Sequence, residues 1–148
     1  MIDSFTGANR FLSNFHPARV VLYGVVYPTV EHAFQAAKTL DPIERARVAA
    51  APSPGAAKRL GRRVALRPDW EEVKEGVMLA LLRQKFADAT LSGLLARTED
   101  AVLVEGNTWN DRVWGAVWED DRWVGQNLLG LLLSGVRDEV REAAGGGS

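Results

Sequence analysis

Residues 27–38 read YPTVEHAFQAAK, and the fold of the chain turns on this stretch. Pro28 and Thr29 form a start signal, with Thr29 placed to cap the first free backbone N–H groups of a helix. Glu31, Gln35 and Lys38 then fall at i, i+4 and i+7, one helical face at about 100° per residue. Ala33, Ala36 and Ala37 on the far side admit a close neighbour. The helix dipole favours a first-turn carboxylate by about 0.3–1 kcal/mol, so an ionised Glu31 is expected. An acid, an amide and an amine in one row suit a site. The same row also suits a solvated face with an i,i+4 pairing, and spacing alone leaves both open.

The neighbouring segments set this helix among others. RVVLYGVV (19–26) reads as a hairpin around Gly24. Asp41-Pro42 ends the helix near Leu40, and Pro42 opens a second helix over residues 42–50. APSPG (51–55) breaks that one, and a short third helix runs from Ala56 to Leu60 before Gly61. Lys58, Arg59, Arg62 and Arg63 cluster there, either as a solvated face or as a phosphate-facing edge. Asp69 caps the longest helix, whose stripe of Trp70, Val73, Val77, Leu81 and Lys85 makes it the core helix. Lys74 and Lys85 are its candidates for facing a site. Upstream, Asn14 and Phe15 in FLSNF offer a hydrogen-bonding amide beside a ring, or simply a turn.

Downstream, Thr90 starts a helix, and Ala101–Glu105 reads as a buried strand with Glu105 at its end. The loop 106–115 sets Asn107, Asn110 and Asp111 beside Trp109 and Trp114, a composition of binding loops and of tight turns alike. Residues 116–124 read as a second hairpin or a loop, turning at Glu119–Arg122. Asn127 caps the last helix, and free N–H groups behind Gly125 would accept an anion such as phosphate. The expected organisation is one domain over residues 1–143 and a flexible tail over 144–148.

Composition narrows the function classes. The chain has 148 residues, 47% of them hydrophobic, which suits a folded domain rather than disorder. Eighteen basic residues against nineteen acidic ones give none of the basic excess of a dedicated DNA-binding domain. Cysteine is absent, which excludes disulfides, thiolate catalysis and Cys-based metal sites. The two histidines, His16 and His32, form no metal-binding spacing. No apolar run reaches membrane-spanning length and no signal peptide is visible, so a soluble, cytoplasmic protein is expected.

In chain order, FLSNF (11–15), YPTVEHAFQAAK (27–38), RPDW (67–70), KF (85–86), LVE (103–105), DRVWG (111–115) and GQNLLGLLL…VR (125–137) resemble the NADAR superfamily, also called YbiA-like or RibX-like proteins. The resemblance covers about Phe5 to Arg141. It implies an α+β, mostly helical single domain with a small β-sheet. It also implies an N-glycosidase that cleaves a ribose C1′–N bond without metal or cofactor. Some members act on phosphoribosylamino-pyrimidine intermediates of riboflavin biosynthesis, and others on ADP-ribosylated guanine in nucleic acid. The implied partner is therefore a phosphoribosyl or ADP-ribosyl small molecule, or ADP-ribosylated nucleic acid.

The positions matching the family's polar set are Asn14, Glu31, Gln35, Lys38, Glu105, Asp111, Trp114 and Asn127. On this reading Glu31 stabilises charge on the sugar and Gln35 orients it. Lys38 binds phosphate or attacks an opened C1′ aldehyde. Asp111 and Glu105 activate water or bind ribose hydroxyls, and Asn14 adds hydrogen bonds. Trp114 and Phe15 stack on the base or enclose the sugar, and Asn127 and the following helix start, with Arg59 or Arg62, take the phosphate. A non-catalytic ADP-ribose or nucleotide reader is the competing class; a purely structural protein would leave the stripe solvated.

Overall fold

The computed structural model describes residues 1–146. The fold is α+β and mostly helical, with two small antiparallel sheets of two strands each. The chain forms two compact units, Asn14–Lys85 and Met1–Ser13 with Phe86–Ser148.

The first unit is built around the helix of the opening motif. Strands β1 (Pro17–Leu22) and β2 (Val25–Thr29) form the expected hairpin, with a register shift between Pro17 and Val20. Tyr23 and Gly24 both take positive φ, +50° and +78°, as a two-residue turn between twisted strands requires. Helix α1 (Val30–Ala37) follows directly. Thr29 caps it by accepting the His32 N–H at 3.1 Å. Helix α2 (Pro42–Ala49) is capped by Asp41, and α3 (Pro54–Gly61) by Ser53. The longest helix of this unit, α4, spans Trp70–Lys85. Both Asp69 carboxylate oxygens accept from Arg67, at 2.6 and 3.0 Å, and the Asp69 carbonyl serves the first turn of α4.

All eight residues of α1 are buried, because α2, α3, α4 and both strands pack around it. Its alanines allow that close approach. Trp70, Val77, Met78, Leu81 and Leu82 of α4 are buried too, and Phe34 meets Trp70 with ring centroids 5.0 Å apart.

In the second unit a 3-10 helix covers Gly7–Leu12. Helix α5 (Ala89–Ala96) is capped by Asp88, two residues before the expected start at Thr90. The expected strand 101–105 is not a regular strand. Ile2 alone bridges it, in parallel at Leu103, so the pairing is too short to propagate, and Val102 is exposed. Strands β3 (Val117–Glu119) and β4 (Arg122–Val124) form the second hairpin, with Asp120 and Asp121 at positive φ. Helix α6 is Leu128–Gly146, so helix continues past the expected start of the tail at residue 144. Gly147 and Ser148 lie outside the described residues.

Candidate functional site

The polar row of α1 is not a solvated face. Glu31 is 7% exposed and Gln35 5%, although nothing in their residue types asks for burial. Gln35 Nε2 donates to Glu31 Oε1 at 2.8 Å across one turn. The other amide atom, Gln35 Oε1, is buried without a hydrogen-bond partner. The row is held closed by α3. A Cβ at Gly61 would overlap Gln35 Oε1 and would lie 2.8 Å from Gln35 Cδ, so only glycine lets the helices meet there.

Lys38 ends α1 at its C-cap, half-buried. Its N–H donates to Gln35 O at 3.3 Å and its carbonyl accepts from Arg67 N at 2.7 Å, which fixes the backbone that carries the amine. Thr39 follows, with its hydroxyl on Glu44 Oε1 at 2.7 Å and its carbonyl on Arg45 Nε at 2.9 Å.

Burial sets the electrostatics of this row. It pushes the Glu31 carboxyl above its ordinary value, against the opposing pull of the Gln35 hydrogen bond and of Lys58, Lys38 and His32. The dipole argument for a readily ionised Glu31 is therefore outweighed by desolvation, which disfavours the charged form. Burial also pulls Lys38 below the ordinary lysine value; Glu31 opposes this, and Arg62 and Lys58 reinforce it. The acid is held more readily protonated and the amine more readily neutral, so their titrations move towards each other.

The N-terminal end of the row is equally constrained. Glu31 N donates to Asn14 O at 3.1 Å, so Asn14 sits at the start of α1. Asn14 Nδ2 lies 3.6 Å from Met78 Sδ, and its Oδ1 is buried without a partner. Phe15 beside it is exposed. His32 is structural: Nε2 reaches Ala51 O at 3.1 Å and Nδ1 meets Thr29 Oγ1 at 2.7 Å. With Nε2 as donor, the Thr29 hydroxyl donates to Nδ1.

Lys85, the other lysine singled out on α4, is 1% exposed, and burial pulls it down to about 7. Lys74 is paired with Glu71 on the surface of α4.

In the second unit the expected site residues hold the chain together. Asp111 Oδ1 accepts from Val113 N at 3.1 Å and Trp114 N at 3.0 Å, closing a turn. Asn107, buried, anchors that loop by donating to Asp111 O and accepting from Asp111 N, at 2.9 and 3.0 Å. The Glu105 carboxylate lies 3.3 Å from Asn107 Nδ2. The side chain of Trp114 is half-buried, and its carbonyl accepts from Leu129 N at 3.0 Å.

Asn127 requires a correction. It takes φ +53°, outside the extended range of a helix N-cap. Its Oδ1 accepts from Glu105 N at 3.0 Å and its Nδ2 donates to Leu103 O at 2.8 Å. The N–H groups of Asn127, Leu128 and Leu129 bond the carbonyls of Gly115, Val113 and Trp114. The anion cradle expected at the start of α6 is filled by the chain's own carbonyls. Among the described residues, no three His, Asp or Glu side chains group as a metal site needs, and no helix is long and apolar enough to cross a membrane.

The NADAR domain family matches residues 4–141. N-glycosidase YbiA of Escherichia coli (strain K12) is 42% identical over 131 residues, covering 86% of this chain and 79% of that protein. N-glycosidase Npun_R5314 of Nostoc punctiforme is 36% identical over 87% of this chain and 84% of its own. Riboflavin biosynthesis protein VVA0006 of Vibrio vulnificus is 34% identical over 90% of this chain, which spans 36% of that longer protein. The solution structure of E. coli YbiA superimposes with a TM-score of 0.80 and 37% identity, over 97% of this chain and 89% of that one.

Proposed function

This chain belongs to the NADAR domain family, and we propose that it is an N-glycosidase whose chemistry at a ribose C1′–N bond is carried by Glu31, Gln35 and Lys38. The observation that carries this reading is the burial of the row. A carboxyl and an amide with one orphan atom are held at low exposure, with a half-buried amine at the end of their row, at a cost that packing does not explain. The relatives named N-glycosidases support hydrolysis over a reader without turnover.

Glu31, its proton held to higher pH by burial, protonates the leaving nitrogen as the C1′–N bond breaks and its electrons pass to that nitrogen. Water adds to C1′ and returns a proton to Glu31. Gln35 fixes the carboxyl orientation through its 2.8 Å hydrogen bond. By a second route, opening the sugar ring leaves C1′ as an iminium of the leaving nitrogen; Lys38, with a more accessible neutral form, adds there, the nitrogen leaves as the protonated amine, and water hydrolyses the Lys38 imine to release the sugar aldehyde. Asn14 Oδ1, beside the start of α1, accepts from a sugar hydroxyl.

Two substrates fit this bond. One is a phosphoribosylamino-pyrimidine intermediate of riboflavin biosynthesis, a reading that the relative named riboflavin biosynthesis protein VVA0006 supports. The other is ADP-ribose joined to guanine, free or in nucleic acid. Separate incubation with each substrate and chromatography of the products tests the reading. Release of ribose 5-phosphate or of free ADP-ribose is expected. Binding of both without release of either would make the chain a nucleotide reader instead.

A further inference from the structure

Tyr23 goes against the local rules that shape the rest of its hairpin. With Gly24 it makes the two-residue turn between β1 and β2, and its φ is +50°. Turns of this kind favour asparagine or glycine at that position, because a Cβ is strained in the left-handed region. Tyr23 is also 53% exposed, so burial of the ring does not account for it. Its neighbours do. Arg67, in the segment between α3 and α4, donates from Nη1 to the Tyr23 hydroxyl at 3.2 Å. The Arg45 guanidinium of α2 lies over the ring, 4.2 Å from its centroid. Each arginine also holds one of two consecutive carbonyls at the end of α1. The Arg67 backbone N–H donates to Lys38 O at 2.7 Å, and Arg45 Nε donates to Thr39 O at 2.9 Å. All of these residues belong to the unit Asn14–Lys85.

The contacts form a chain with one fixed end. Asp69 takes Nε and Nη2 of Arg67, which sets the guanidinium plane and leaves Nη1 for Tyr23. The hydroxyl is thereby anchored, and the anchored ring seats Arg45 through a cation–π stack. Arg45, so seated, keeps its Nε on Thr39 O. Thr39 is fully buried and its hydroxyl donates to Glu44, which leaves little slack in the backbone beside Lys38. We infer that Tyr23 is a positioning residue for the Lys38 amine: its ring, set by Arg67, seats Arg45 on the Thr39 carbonyl and so fixes the backbone from which Lys38 reaches a sugar aldehyde. The inference rests on the reading of Lys38 as an amine that forms an imine. It adds a residue of the hairpin turn that acts on that amine through two arginines. Such an action matters because a misplacement of about 1 Å is enough to slow a reaction by about a hundred-fold.

The test is imine formation at Lys38 without any N-riboside. The full-length protein is incubated with ribose and cyanoborohydride. The amine and the open-chain aldehyde lose water to give an imine, and hydride reduces it to a stable secondary amine. Peptide mass spectrometry compares the rate at Lys38 with that at Lys74 of α4, which is paired with Glu71. Lys38, the amine held more readily neutral, is expected to react faster than Lys74 in wild type. Tyr23→Asn gives the turn its preferred residue and removes ring and hydroxyl together. It should slow Lys38 roughly ten-fold, leave Lys74 unchanged and keep the melting temperature close to that of wild type. Tyr23→Phe leaves the turn and the ring under Arg45 in place, and its Lys38 rate should fall between the two. An unchanged Lys38 rate in Tyr23→Asn overturns the inference, as does equal slowing of Lys38 and Lys74. A wild-type Lys38 no faster than Lys74 removes the imine role and the positioning role with it. A chain that shows the expected pattern but cleaves no N-riboside keeps the Tyr23 assignment and loses only the ribosidase reading.

Discussion

Gln35 donates to Glu31 at 2.8 Å across one turn of α1, and both side chains are buried. The bond satisfies half of the Gln35 amide and leaves Oε1 orphaned against Gly61. A buried unsatisfied polar atom costs about 1–3 kcal/mol. A fold selected only for packing would fill these positions with apolar side chains, as it does at Val30, Ala33 and Ala37 of the same helix. The cost is retained where Gln35 has a carboxyl to orient and a ligand atom to receive.

Glu31→Gln keeps the shape and removes the proton donor. Turnover should fall by roughly 10²–10⁴-fold, the usual range for a positioned acid. Stability should move the other way. The folded-state pKa of Glu31 is raised, so on raising the pH the unfolded chain ionises first. Its contribution is full below the ordinary value of 4.5 and is lost as pH rises through the folded value. The variant lacks this loss, so its melting temperature should gain on wild type between pH 4.5 and neutrality. Near-normal turnover would remove Glu31 from the chemistry.

Gly61→Ala places a methyl group into the Gln35 amide. The amide must shift, and with it the bond to Glu31. Overpacking of this kind costs about 1–3 kcal/mol. Catalytic efficiency should fall roughly ten-fold or more, since misplacement of about 1 Å is enough for such a loss. Gly55→Ala on the same helix meets only ordinary contacts at 3.7 Å and beyond. It should leave activity unchanged and stabilise by about 0.4–1 kcal/mol. Equal effects of the two substitutions on activity would mean that Gln35 orientation does not matter.

Lys38→Ala separates attack from anchoring. If the amine forms the imine, borohydride added during turnover traps a covalent adduct in wild type and none in the variant. With Glu31 needed protonated and Lys38 neutral, the rate against pH should be bell-shaped, with both limbs between the ordinary carboxylate value of 4.5 and the ordinary lysine value of 10.5, because burial raises Glu31 and lowers Lys38. No trapped species under turnover would leave Lys38 as a binding group only.

The local rules of the sequence read well where the signal is local. Thr29 as a cap, the Tyr23-Gly24 turn, the Pro42 helix start and the α4 core stripe all follow from residue type and spacing. The status of the Glu31 row does not, because a row at i, i+4 and i+7 looks the same whether five elements pack around its helix or water covers it. Burial also reverses the dipole argument for Glu31, a balance that no spacing records. The strand expected at 101–105 fails for a related reason: β-branched residues favour extension, but a strand needs a partner, and Ile2 alone supplies one bridge. Asn107 stands out in the sequence only together with Asn110 and Asp111, and composition does not say which of the three anchors the 107–111 loop.

Lys85→Met tests the buried amine of α4. With a folded value near 7 against 10.5 when exposed, Lys85 loses its proton in the fold between those two values while the unfolded chain still holds it. Stability is full above 10.5 and falls as pH drops towards 7, after which it levels off. The methionine variant escapes this cost. Its advantage over wild type in chemical denaturation should be larger at pH 6 than at pH 9, by on the order of 2 kcal/mol. A pH-independent difference would mean that Lys85 stays charged in the fold.

Asn127→Ala should unfold the chain more readily without touching substrate affinity. The side chain joins Leu103 O and Glu105 N to the start of α6, at 2.8 and 3.0 Å. Its loss leaves a backbone donor and a backbone acceptor without their partners, and each such loss costs about 1–3 kcal/mol. Alanine also resists the φ of +53° held at this position. Asn127→Asp isolates the electrostatic question. The carboxylate still accepts from Glu105 N but can no longer donate to Leu103 O, so stability falls again. An anion bound at the head of α6 would be repelled, and the Michaelis constant would rise. Because the carbonyls of Val113, Trp114 and Gly115 already occupy those N–H groups, an unchanged Michaelis constant is expected. A ten-fold increase in either variant at unchanged stability would return the phosphate to α6.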